Sequence, residues 1–144
     1  MIGEWDTRFM DVAAKIAMWS KDPSTQVGCV LVDQQRRIIG TGYNGFPRGV
    51  DDDVERYEHR PTKLLMVQHA EANAVLQAVA KTEGATAYVT HHPCSSCAGV
   101  MIQAGVARVV TRSPEEGLAE RFMESFDAAR TMFREAGVVF EWLE

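Results

Sequence analysis

The 144-residue chain has 46% apolar and 24% charged residues with only 11 Gly and 5 Pro, which excludes disordered, collagen-like and disulfide-scaffold classes and reads as a single domain, 1–144. A net charge of -5 counts against a polynucleotide binder, which carries a basic surface, yet leaves room for an anionic substrate met by a few local cations. Met1–Asp6 shows no basic stretch leading into an apolar run, and no apolar run approaches a membrane span of roughly 18 residues, so the reading is a cytoplasmic protein with no membrane partner.

Trp5, Phe9, Val12, Ala13, Ile16 and Trp19 recur at the spacing of one helix face and predict a helix over Trp5–Ser20. Lys21-Asp22-Pro23-Ser24 breaks it, because the residue before a proline leaves the α region. Val27–Val32 and Arg37–Tyr43, joined by the polar turn Asp33–Arg36, read as a hairpin. Asn44 to about Thr62, with Asp51, Asp52 and Asp53 in a row, is the least regular stretch and is read as a long loop. Then follow a helix over His69–Lys81, a strand over Ala85–Thr90, a helix over Cys94–Ala104, a strand over Ala107–Thr111, a helix over Glu115–Ala136 and a strand over Val138–Trp142. Leu118, Phe122, Phe126, Ala129 and Phe133 mark the apolar face of the last helix. Helical crossovers imply parallel pairing in the second half, so the expectation is one mixed five-stranded sheet with helices on both faces.

Two short stretches carry chemistry. His69-Ala70-Glu71 opens one predicted helix, and Pro93-Cys94-Ser95-Ser96-Cys97 opens another. An imidazole and two thiolates suit Zn²⁺, and three protein ligands leave a fourth position for water, the mark of a catalytic zinc. Cys94 and Cys97 stand three apart, so both sulfurs can share one helix face, and a helix N-terminus favours their thiolate forms. Glu71 is then free for general acid–base work beside the metal. A redox pair would leave His69 and Glu71 unexplained; a closed structural zinc would need His91 or His92 as a fourth ligand. Cys29, inside an apolar strand, is read as a core thiol.

His-x-Glu followed by Pro-Cys-x-x-Cys resembles the signature of the zinc nucleobase deaminases. Ser20–Cys29, Gly42–Gly49 with Asp51-Asp52 following, His69–Ala74 and Ile102–Val106 resemble the deoxycytidylate (dCMP) deaminase family, over nearly the whole chain from Trp5 to Trp142. The resemblance implies a cytidine deaminase-like three-layer α/β/α sandwich. It implies zinc-dependent conversion of free dCMP to dUMP and ammonia, a step that feeds dTMP synthesis. His69, Cys94 and Cys97 match the zinc ligands, Glu71 the proton shuttle, and Asn44 the strand-end asparagine that contacts the sugar. Ala70 and Pro93 belong with the substrate pocket. Candidates for the 5′-phosphate are Lys21, Ser24 and Arg48, with Arg60 and Lys63 behind them.

Many members of that family are hexamers activated by dCTP with Mg²⁺ and inhibited by dTTP. The loop Gly42–Asp53 resembles the segment that shapes their regulatory site, which places Gly42, Asn44, Gly45, Arg48 and Asp52 there. Tyr57–Gln68 departs from the better-known members and resembles compact forms from bacteria or phages, hence a bacterial or phage-infected cytosol. Self-association is also expected from the Phe and Met content of the last helix, at Phe122, Met123, Phe126, Met132 and Phe133. Two rival readings remain: a polynucleotide editor of the tRNA adenosine deaminase type, and a non-catalytic zinc-stabilised binding module.

Overall fold

The computed structural model describes residues 2–113 and 122–144. Helix α1 (Glu4–Ala17) starts at Gly3, whose N–H is accepted by the Asp6 carboxylate at 2.8 Å. Strands β1 (Gly28–Val32) and β2 (Ile38–Tyr43) form the predicted antiparallel hairpin. Two short helices follow, α2 (Val54–Glu58) and α3 (Arg60–Met66), and then α4 (Ala70–Leu76). The rest alternates: β3 (Thr86–Val89), α5 (Ser95–Gln103), β4 (Arg108–Arg112), α6 (Met123–Ala136) and β5 (Val139–Leu143).

The five strands form one sheet in the order β2-β1-β3-β4-β5. β1 is antiparallel to both neighbours, whereas β3, β4 and β5 run parallel. Residues alternate across the pleat. Val30, Val32, Tyr88 and Val110 pack against Phe9, Met10, Ala13 and Ile16 of α1. On the other face Cys29, Leu31, Ala87, Val89 and Val109 meet Ala70 and Ala74 of α4, Ala98 and Met101 of α5, and Ala129 and Phe133 of α6. Both faces are covered, which is why β1 reads as an unbroken apolar run. The three-layer α/β/α arrangement and the mixed five-stranded sheet are as expected.

Several boundaries differ, each for a local reason. α1 ends at Ala17 because Met18, Trp19 and Ser20 turn back onto the carbonyls three residues before them. Trp19 is therefore exposed, edge-on to Tyr43, instead of lying on the buried helix face. α4 ends at Leu76 because the Val79 N–H is captured by the Ile39 carbonyl of β2, which draws the chain out of the helix. The stretch read as a long loop holds α2 and the start of α3, joined at His59, whose ring caps α3 through Thr62. The start of the helix expected from Glu115, with Leu118, lies outside the described residues. Phe126 and Phe133 are core residues and Met132 packs on the same cluster, so the content of the last helix is largely used in folding the monomer. Met123 is the large apolar residue exposed among the described part of that helix.

Candidate metal centre and active site

α4 and α5 both begin at one place. His69 is the extended residue capping α4 and Cys94 the extended residue capping α5, one turn before Cys97. His69 Nδ1 lies 3.4 Å from Cys94 Sγ and 3.3 Å from Cys97 Sγ, and the three ligand atoms are all within 4.8 Å of one another. Zn–N of about 2.0 Å and Zn–S of about 2.3 Å at a tetrahedral angle put nitrogen and sulfur roughly 3.5 Å apart. The observed spacing therefore fits Zn²⁺. His69 is exposed while Cys97 is buried, so the cluster opens outward on the imidazole side.

The rival fourth ligand does not approach. His92 is buried against Phe126, Phe140 and Trp142, and its Nδ1 sits 2.8 Å from the Pro93 carbonyl. Neither His92 nor His91 joins the cluster that could hold a metal among the described residues. An open three-ligand site is the arrangement that catalysis requires.

Glu71, in the first turn of α4, is buried beside this cluster, with His69 and Cys97 both acting on its charge. Burial pushes its carboxyl up to about 7, partly offset by His69. The Cys94 thiol is drawn down by its hydrogen bond with Cys97, against burial, and further by His69. Cys97 is pushed up by that same bond and by burial, so in the metal-free pair Cys94 carries the charge. His69 is raised by Cys94, against burial, with Glu71 adding to the effect. Cys29 is a fully buried core thiol, as predicted.

The loop from β2 is tied directly to the metal segment. Gly45 N–H donates to the Gln68 carbonyl at 3.1 Å and Gln68 N–H to the Gly45 carbonyl at 2.7 Å, immediately before His69. Asn44 is buried next to this bridge, its Oδ1 accepting from Val27 N–H at 2.8 Å and its Nδ2 donating to the Thr25 carbonyl at 2.9 Å. Ala70 is fully buried against β2, and Gly42 lets α4 approach: a Cβ there would lie 2.3 Å from the Ala70 carbonyl oxygen. Pro93 is buried behind Cys94.

The expected phosphate candidates divide. Lys63 pairs at 2.7 Å with Asp22 and donates to Ser24 Oγ, and Lys21 pairs with Asp52 at 3.3 Å. Arg48 and Arg60 are exposed and make no hydrogen bond or ion pair among the described residues. Asp52 also accepts from Tyr57 Oη at 3.1 Å, and Asp53 pairs with Arg56, so two of the three consecutive aspartates already have cationic partners. Sequence reasoning passed over Arg112, which lines a cavity of about 300 Å³ with His91, Gln26 and Thr90 at the end of the sheet where β3 runs into Cys94. A strand-final arginine carries no periodic signal that would single it out. A larger cavity of about 490 Å³, lined by Trp5, Arg36 and Arg108, lies at the opposite ends of β3 and β4.

Fold and site together define a class, the zinc-dependent deaminases. Comparison supplies the particular family: residues 3–113 match the model of the cytidine and deoxycytidylate deaminase zinc-binding region, and the chain belongs to that family. An uncharacterized deaminase of Aliivibrio fischeri is 42% identical over 99% of this chain and 96% of its own. The human deoxycytidylate deaminase is 39% identical over 95% of this chain and 78% of its own. The crystal structure of a cyanophage S-TIM5 dCMP deaminase in complex with dCMP and dUMP superposes with a TM-score of 0.79, at 26% identity and with 99% of both chains covered.

Proposed function

We propose that this chain is a deoxycytidylate deaminase, a single 144-residue domain that hydrolyses dCMP to dUMP and ammonia and so feeds dTMP synthesis. The observation that carries the reading is the buried Glu71 carboxyl packed beside an open His69/Cys94/Cys97 cluster. Relatives named deoxycytidylate deaminases support the choice of substrate. In this reading His69 Nδ1 and the sulfurs of Cys94 and Cys97 hold Zn²⁺. When bound, the metal supplies a Lewis acid that brings the pKa of a water to about 7. Glu71 takes a proton from the attacking water and delivers it to cytosine N3. As C4–N breaks, Glu71 takes the remaining proton from the new C4 hydroxyl and passes it to the amine, so that ammonia leaves and a C4 carbonyl remains. Asn44 contacts the sugar, Ala70 and Pro93 wall the base pocket, and Arg48, with Arg60 behind it, is the cation for the 5′-phosphate.

Regulation by dCTP with Mg²⁺ and by dTTP belongs to the same reading, with Gly42, Asn44, Gly45, Arg48 and Asp52 shaping the effector site. Because Asp52 is held by Lys21 and Tyr57, an effector's Mg²⁺ would have to displace Lys21 to reach it. A homo-oligomer, with a hexamer favoured by family resemblance, is supported by Leu76 and Val79, exposed where the chain crosses the outer edge of β2. A location in the cytoplasm of a bacterium or phage-infected host belongs to the same reading. No described helix is long and apolar enough to cross a membrane.

Glu71→Gln keeps the side-chain volume and removes the proton carrier. Its zinc content should match wild type while dUMP formation falls by about 10²–10⁴-fold; near-normal turnover with zinc in place overturns the assignment. Ammonia release from dCMP, CMP, dCTP, 5-methyl-dCMP, deoxycytidine and a tRNA anticodon stem, with and without dCTP plus Mg²⁺, tests substrate and regulation together.

A further inference from the structure

Asp22 takes no part in the chemistry above, yet it is among the most completely enclosed charged groups described, with its side chain 0% exposed. Five donors converge on its carboxylate: Lys63 Nζ at 2.7 Å, Ser24 N–H at 2.9 Å, Ser24 Oγ at 3.1 Å, Thr25 N–H at 3.2 Å and Asn44 Nδ2 at 3.4 Å. A buried carboxylate tolerates enclosure only when such partners replace water. Lys63 and the backbone N–H groups outweigh burial and hold the carboxyl below its ordinary value, so it is charged at neutral pH.

The consequence falls on Asn44. A side-chain amide has two donor hydrogens and two acceptor lone pairs, and its oxygen and nitrogen can exchange places by a flip. Here the flip is forbidden. Asp22 and the Thr25 carbonyl can only accept and both face Nδ2, while the Val27 N–H can only donate and faces Oδ1. Asp22 acts twice, directly on Nδ2 and through the Thr25 backbone, whose N–H it holds while the Thr25 carbonyl takes the other Nδ2 hydrogen. Both donor hydrogens are thus used, and one Oδ1 lone pair is left.

We propose that Asp22 is a positioning residue that locks the Asn44 carboxamide as a pure acceptor aimed at a sugar hydroxyl. The inference rests on the deoxycytidylate reading, since the only free sugar hydroxyl of dCMP is at 3′. The same lock ties α3, through Lys63, to the Asn44–Gly45 strand end that is bridged to Gln68, the residue before His69. Asp22 therefore joins sugar recognition to the placement of the metal segment without touching substrate.

The test compares kcat/KM for dCMP and for 2′,3′-dideoxycytidine monophosphate, which lacks the 3′-hydroxyl. One net hydrogen bond predicts that the wild type prefers dCMP about tenfold. Asp22→Ala should retain zinc and lose that preference, and Asp22→Asn, which still accepts from Ser24 and Thr25, should restore part of it. A purely structural role would lower both nucleotides equally, and that result, or an unchanged preference, overturns the proposal. The exchange of the two Asn44 Nδ2 protons in the wild type, read by NMR, stands independently of activity and of whether Asp22→Ala folds. Strong protection supports the lock and free exchange overturns it. A wild type that deaminates neither nucleotide refutes the deoxycytidylate reading, and the exchange measurement then decides the lock alone.

Discussion

Asp6 places a carboxylate at the floor of α1, where Tyr88 Oη and Arg108 Nη1 each donate at 2.7 Å, Arg108 Nη2 at 3.1 Å and the Gly3 N–H at 2.8 Å. Arg108 Nη2 reaches on to Glu141 at 2.8 Å, so one guanidinium joins α1, β4 and β5. Burial alone would raise the Asp6 carboxyl, but the hydrogen bonds of Arg108, Tyr88 and Gly3 prevail and hold it at about 2. A folded pKa below the unfolded one contributes stability that is present above about pH 4 and lost as pH falls through the folded value. The stabilisation lost between pH 5 and pH 2 is about 2 kcal/mol. Urea unfolding across that range should show this loss in wild type and its absence in Asp6→Asn; parallel pH profiles for the two proteins would refute it. The partners of Asp6 were not legible beforehand, because Tyr88 stands 82 positions away and no local period encodes such a contact. Lys63 was hidden for the same reason: its ammonium, a candidate for phosphate, is taken by Asp22. His69, Glu71, Cys94 and Cys97 were legible because each belongs to a short motif at a helix start, where spacing alone fixes the side-chain directions.

Elements with a long apolar period, α1 and β1 to β5, could be read from the sequence to within a few residues. The ones that could not are α2 and α3, of 5 and 7 residues, too short to show a period, with Val54, Leu64 and Leu65 exposed. The close contact between α1 and β1 was equally invisible, since a glycine in an apolar run says nothing of what lies above it. A Cβ on Gly28 would fall 2.0 Å from the Ala13 carbonyl oxygen and 2.7 Å from the Ala17 nitrogen, both helix backbone atoms that cannot swing aside. Gly28→Ala must therefore push α1 off the sheet, at a cost of roughly 3 kcal/mol. Gly99, inside α5, has nothing within 4 Å of its Cβ position, so Gly99→Ala should stabilise by about 0.5–1 kcal/mol through helix propensity. Denaturant midpoints that move in opposite directions support this packing account, and a neutral Gly28→Ala would mean that α1 does not sit where it is described.

At the scale of the whole molecule, the metal site acts as a clasp between elements that the chain keeps apart. His69 and Cys94 are 25 positions apart and cap two helices of the same layer. α5 is in turn fastened to α6, where Ser125 Oγ accepts from the Ser95 N–H at 2.9 Å and donates to Ser95 Oγ at 3.2 Å. Zinc that binds the folded arrangement and not the unfolded chain stabilises it by mass action, about 4 kcal/mol when free metal exceeds the dissociation constant a thousandfold. For a chain of this length that corresponds to roughly 10 °C in Tm. Chelation should lower Tm by this order, and added Zn²⁺ should restore it. Mg²⁺ should not, because it prefers oxygen ligands in octahedral geometry and the cluster offers one nitrogen and two sulfurs. Cys94→Ala should start at the lowered Tm and respond to neither chelator nor zinc. If the wild type melts at the same temperature with and without metal, the two helix starts are held together by packing alone and the clasp does not exist.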